Sequence, residues 1–256
     1  MPRTAAPKVI ARPLARGWTS SSRWLGFVGA ELAVAAPVSI VFFALHQPTA
    51  VLRYLVGLTA GLVVQHLFVW AIRRRVGPER SSPADLLTLS RATVGAILAG
   101  LVAAGFQERS SGAGWLVWIT ILLAVTVTDW LDGPLARRHG PTLLGRALDI
   151  EADSWLTLWC GAAAVAWGGL AAWCLLPPLA HYIYPVRALL TGGLPSGGGP
   201  WWGRVTGTLQ MALFLGALLP VEPPFRAAVL GLLALPISGS QLLALLAPLV
   251  THRSGG

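Results

Sequence analysis

Five of the ten acidic residues in this 256-residue chain fall in one short stretch: Asp129, Asp132, Asp149, Glu151 and Asp153. It reads Asp129-Trp-Leu-Asp132-Gly133-Pro-Leu-Ala136-Arg137, and then places Gly145, Asp149 and Asp153 at steps of four. Residues three or four apart share a helix face, so Asp129 pairs with Asp132 and Asp149 with Asp153. Glu151, two residues from each of the last pair, points elsewhere and reads as a solvated or capping residue. Two helices joined by a short basic loop thus bring four carboxylates together. Four like charges repel strongly in low dielectric, so something cationic must sit among them. Oxygen-only donors select hard ions such as Mg²⁺ or Mn²⁺ over zinc. Two such ions, roughly 3.5–4 Å apart, suit an in-line phosphoryl displacement. Gly133 and Gly145 let a ligand approach the backbone, Ala136 keeps the face open, and Arg137 can pair with phosphate oxygens. Gly133-Pro134 should break the helix beside the site. A salt-bridge network with Arg137, Arg138 and Arg146 is the other reading, but it does not require two glycines and an alanine at those offsets.

These carboxylates are embedded in a chain that is 55% hydrophobic and 11% charged, with a mean hydropathy of +0.66. A soluble domain carries about 25% charged residues. The fold class is therefore an all-α, polytopic transmembrane bundle, and an ionisable cluster inside it is a functional site by default. About 20 apolar residues cross a bilayer. On that ruler the spans are 25–45, 51–72, 86–106, 113–131, 148–167, 170–190, 204–220 and 226–249. Pro177, Pro178 and Pro185 interrupt the sixth, where a kink is expected. The organisation that follows is a basic tail over 1–24, two helices over 25–72, a basic linker over 73–84, a six-helix core over 85–250 and a short tail over 251–256. Ser82-Pro83-Ala-Asp85 reads as a helix start, with an N-cap serine and a proline at the first position. Gly57-x3-Gly61 permits close helix packing.

Eighteen of the nineteen cationic residues are Arg, and most fall at one set of span ends. The tail, Arg73-Arg74-Arg75, Arg80, Arg137, Arg138, Arg146, Arg204 and Arg253 lie inside if both termini are cytoplasmic, leaving Arg53, Arg109 and Arg226 outside. The acidic cluster then faces the cytoplasm. The net charge of +9 is thus a matter of topology, and no nucleic-acid partner is implied. The tail sets orientation or attracts anionic membrane lipid. Its first apolar run is too long for the h-region of a cleaved signal peptide. Neither Walker A nor a strand-linked G-x-G-x-x-G occurs. Cys160 and Cys174 sit in apolar runs, with neither zinc spacing nor a disulfide framework. Trp24, Trp201 and Trp202 fall near expected interfaces, as aromatic-belt anchors do.

The pattern D-x2-D-G-x2-A-R-x7-G-x3-D-x3-D resembles the signature of the CDP-alcohol phosphatidyltransferase family, with every fixed position filled between Asp129 and Asp153. Leu86-Leu-Thr88-Leu-Ser-Arg91 is similar to the first core helix of that family, where N-x2-T-x2-R is usual and Asp85 here replaces the Asn. The resemblance implies a six-helix membrane core, a CDP-linked lipid donor, typically CDP-diacylglycerol, an alcohol acceptor, and release of CMP. By position it implies that Asp129, Asp132 and Asp149 hold the metal ions, with Asp153 as a further ligand or the base. It also implies that Gly133, Ala136, Arg137, Gly145 and Thr88 contact the cytidine diphosphate. Family members are often homodimers.

Two other classes compete. A Mg²⁺-dependent membrane prenyltransferase would carry two separated Asp-rich motifs, where this chain has one. A carboxylate-site ion transporter would place its acids near mid-membrane on broken helices. The acceptor is open. Arg187 and Arg204, with His181, Tyr182 and Tyr184, either form a basic pocket for an acceptor phosphate or are interfacial charges. The pocket reading favours a phosphorylated polyol such as glycerol 3-phosphate or an inositol phosphate.

Overall fold

A computed structural model describes residues 20–76, 82–105, 120, 121, 125, 127, 143–183, 201–219 and 223–251. Among them the chain is all-α, with seven α-helices, one 3-10 turn and no strand. The helices are α1 (Ser20–Leu45), α2 (Pro48–Val76), α3 (Pro83–Ala103), α4 (Leu143–Gly168), α5 (Leu176–His181), α6 (Trp201–Ala217) and α7 (Pro223–Thr251). Of the expected fourth span, Thr120, Ile121, Val125 and Val127 are described and helical; its other residues lie outside the described set. Among the described residues three segments are long and apolar enough to cross a membrane: Leu25–Leu45, Pro48–Arg74 and Pro83–Ala103. The molecule is a helical membrane bundle.

The helix ends follow local chemistry. Pro48 opens α2, where a missing N–H costs nothing, and Arg73 and Arg74 close it, favourable for the helix dipole. Their guanidinium groups lie over aromatic rings, Arg73 over Phe27 at 5.2 Å and Arg74 over Trp70 at 4.0 Å. α3 begins with a full capping box: the Ser82 N–H donates to Asp85 Oδ2 at 2.6 Å, and the Asp85 N–H donates to Ser82 Oγ at 3.2 Å. α4 ends at a glycine, Gly169, whose φ of 76° suits only a residue without Cβ. The sixth span is less regular than a simple kink. A 3-10 turn over Ala172–Leu175 leads into the six-residue α5, with Pro177 near its start.

α3 is the centre of the bundle and packs against α1, α2 and α4. Its contact with α2 is made by small residues. A Cβ on Gly57 would stand 2.7 Å from both Ala103 Cβ and the Ala99 carbonyl, and one on Gly61 would stand 3.0 Å from Ala96. Gly57-x3-Gly61 is thus the packing stripe that the sequence indicated. The contact with α4 rests on Gly95, where a Cβ would come within 2.6 Å of the Trp155 ring. A smaller cluster of Phe27, Val69, Leu89, Leu144 and Leu148 joins the start of α1, the end of α2 and the starts of α3 and α4. Those four helix ends therefore lie at one end of the bundle.

Candidate active site

The capping box sets the first turn of α3, and with it the direction of the residues that follow. Asp85, 1% exposed, is a capping residue. One turn on, the buried Thr88 hydroxyl donates to the Ala84 carbonyl at 3.1 Å. Arg91, one turn further, is the only basic residue of α3 and is 3% exposed. A buried guanidinium needs partners, because an unpaired charge in low dielectric is costly. Among the described residues its ionic partners come from α4. Arg91 Nη2 donates to Asp149 Oδ1, and Nη1 lies 3.6 Å from Asp153 Oδ1.

α4 is continuous from Leu143, so Gly145, Asp149 and Asp153 form one stripe, as their spacing implied. The Asp149 and Asp153 side chains are 51% and 59% exposed, so each keeps oxygen atoms accessible beyond the arginine. The register that sets them opposite Arg91 is fixed nearby. Gly95, one turn after Arg91, receives the ring of Trp155, two residues after Asp153.

Glu151 departs from the sequence reading. It is neither solvated nor a cap. Because α4 starts five residues before the expected span, Glu151 lies in its third turn, part-buried, on the face away from the two aspartates. There it lines a cavity of about 20 Å³ with Gln65, Phe68 and Val69 of α2 and Thr88 and Leu89 of α3. Tyr182, at the end of α5, packs its ring 5.8 Å from Phe68 and 6.0 Å from His181.

Asp129, Asp132, Gly133, Ala136, Arg137 and Arg187 lie outside the described residues. Arg204 is exposed in the first turn of α6, and no ion pair joins it to Asp149 or Asp153. Among the described residues, no three His, Cys, Asp or Glu side chains converge on a metal position. The donors present do fit a hard cation. They are two accessible carboxylates on one stripe, and the charge already drawn to them is positive. Arg91 is the site residue that the acidic motif alone does not reveal. The available signal is a single arginine in an otherwise uncharged stretch of apolar helix, three residues after Thr88.

Apolar helices with paired carboxylates on a stripe at one end, facing a buried arginine, define a class of protein: an integral membrane bundle with an ionic site at one end. A sequence model of the CDP-alcohol phosphatidyltransferase family matches residues 81–240, well over half of the chain. The chain belongs to that family. It is a transferase of phospholipid biosynthesis that moves a phosphatidyl group from a CDP-alcohol to an acceptor, and the family is generally dependent on a divalent metal. No curated protein and no solved structure matches it. The family decides against the prenyltransferase and transporter readings. Helices α1 and α2 precede the matched segment.

Proposed function

We propose that this enzyme transfers the phosphatidyl group of CDP-diacylglycerol to the hydroxyl of a phosphorylated polyol, such as glycerol 3-phosphate or an inositol phosphate, releasing CMP. The observation that carries the site assignment is the convergence of Asp149, Asp153 and buried Arg91 on one another. Asp129, Asp132, Asp149 and Asp153 would hold two Mg²⁺ or Mn²⁺ ions, consistent with the oxygen-only donor set. When bound, such ions neutralise charge that develops on the pyrophosphate. Asp153 accepts the proton of the acceptor hydroxyl. The acceptor oxygen forms a bond to the phosphatidyl phosphorus, and the bond from that phosphorus to the bridging oxygen breaks, so CMP leaves with the bridging oxygen. Gly133, Ala136, Arg137, Gly145 and Thr88 contact the cytidine diphosphate. Thr88 lies one turn from Arg91 on the same helix, which supports a place for it beside the aspartates. Arg187 and Arg204 hold the acceptor phosphate.

The active site and both termini lie on the cytoplasmic side. Two things support this: the positive-inside distribution, and the shared end of the bundle where the start of α1, the arginine-bearing end of α2 and the start of α4 meet. In a purified preparation, CDP-diacylglycerol with a phosphorylated polyol should yield CMP and a phosphodiester lipid. Chelation should abolish turnover, and Mg²⁺ or Mn²⁺ should restore it. Full activity in excess chelator would overturn the metal assignment, and preference for an unphosphorylated alcohol would overturn the acceptor.

A further inference from the structure

Helices α1 and α2 lie outside the family match, yet they reach into the helix that carries the site arginine. Glu31 on α1 is 5% exposed and Gln65 on α2 is 4% exposed, both amid apolar helices. Gln65 Nε2 donates to Glu31 Oε1 at 3.0 Å and lies 3.5 Å from both the Leu89 carbonyl and Thr93 Oγ1 on α3. The Thr93 hydroxyl spends its own proton on the Leu89 carbonyl at 3.0 Å, so its oxygen is left to accept. All three neighbours of Nε2 are therefore acceptors: one amide hydrogen serves Glu31, and the other is shared between the Leu89 carbonyl and Thr93 Oγ1. His66 Nε2 lies 3.5 Å from the second Glu31 oxygen, while His66 Nδ1 is 2.8 Å from the Leu62 carbonyl. The residues engaged on α3 are Leu89 and Thr93, two before and two after Arg91.

We propose that Gln65, held by Glu31, is a positioning residue for Arg91. It fixes the turn of α3 from which the guanidinium reaches Asp149 and Asp153. The pair α1–α2 thereby acts on the transfer reaction through α3, without touching substrate. An amide hydrogen shared between acceptors on both sides of the arginine's turn resists rotation of α3 about its axis. Such rotation would carry Arg91 away from the aspartates. The kinetic part of this inference rests on the phosphatidyl-transfer reading; the structural part does not.

The test is a pair of double-mutant cycles on the full chain in detergent or vesicles. Gln65→Leu should lower kcat for CMP release from CDP-diacylglycerol about tenfold and leave the donor KM within about twofold. In an Arg91→Lys background the same change should cost less than about twofold, because coupled residues are non-additive. Glu31→Gln keeps an acceptor oxygen for Gln65 and should keep kcat, whereas Glu31→Leu should behave like Gln65→Leu. Tyr54→Phe is the structural control. It removes the 3.0 Å bond to Ser39 between the same two helices, far from Arg91. It should lower the thermal midpoint and leave kcat unchanged. The second cycle, run on unfolding free energy in metal-free protein, needs no turnover. Gln65→Leu and Arg91→Lys should couple there, and Tyr54→Phe and Arg91→Lys should add. Wild-type kcat in Gln65→Leu, additivity of Gln65→Leu with Arg91→Lys, or an equal kcat loss in Tyr54→Phe would each overturn the positioning role. A wild-type protein without turnover, but with the stability coupling intact, would instead overturn the transfer reading.

Discussion

Arg91 and Asp153 make the two sharpest claims at the level of single side chains. Asp153→Asn should lower kcat by about 10²–10⁴-fold, the usual cost of losing a positioned base, while keeping most of the CDP-lipid binding. Direct binding of a CDP-lipid in parallel with turnover checks this, and wild-type turnover would remove Asp153 from the base role. Arg91→Gln leaves two carboxylates facing a neutral group. Breaking a fully buried pair costs about 3–5 kcal/mol. Here the aspartates are half-exposed, so a loss of about 1.5–3 kcal/mol, that of a charged hydrogen bond, is the better expectation. Added Mg²⁺ or Mn²⁺ should raise the thermal midpoint of this variant, because the carboxylates lack their arginine. A variant as stable as wild type without metal would show that the ion pair contributes nothing. The sequence made Asp149 and Asp153 legible because their relation lies within one helix and follows from its period. Arg91 and Glu151 were not legible in the same way. Which residue faces the aspartates depends on the register of α3 against α4. Apolar membrane helices lack the polar stripe from which facing could be read.

At the level of helices, small residues set the architecture. Gly57 meets backbone as well as side chain on α3, so a methyl there cannot be absorbed by a rotamer change. Gly57→Ala should destabilise by about 1–3 kcal/mol, the range for overpacking. Gly231, in α7, has nothing within 4 Å of its Cβ direction. Gly231→Ala should be neutral, or stabilise by about 0.5–1 kcal/mol through helix propensity. Thermal unfolding of the two variants side by side separates a packing effect from a generic one. The Gly-x3-Gly spacing and the Ser82–Asp85 cap are readable in the sequence, since both are local signals. The break of the sixth span into a 3-10 turn and a short helix was only partly so. The prolines announced an interruption, but not that the chain would re-enter a helix after a single turn.

For the molecule as a whole, the question is which way it faces. Single cysteines at 74–82 and 192–203 should react with an impermeant reagent from the cytoplasmic side, and those at 46–50 from the opposite side. The native Cys160 and Cys174 are free and buried, so they should contribute little background. Reversed labelling would move the active site across the membrane. The all-α membrane bundle and the basic end of α2 are open to sequence reasoning because hydropathy and charge are summed properties of long segments. The docking of α1 and α2 onto α3 through Gln65 was not, because it joins residues far apart in the chain.

That docking also bears on how the protein is made. The apolar window of α3 is 78% buried within the bundle, against 17% for α1 and 22% for α2, so of these three spans α3 has the least contact with lipid. It also carries Arg91, and an arginine near the centre of an inserting helix adds about 2.5–3.5 kcal/mol to the insertion free energy. As α3 leaves the ribosome, α1 and α2 are already synthesised and apolar enough to insert. Gln65 and the glycine stripe then offer α3 a protein surface in place of hydrocarbon. In an insertion assay α3 alone should cross the membrane less efficiently than α3 preceded by α1 and α2. Gly57→Leu in the longer segment should erase much of that advantage.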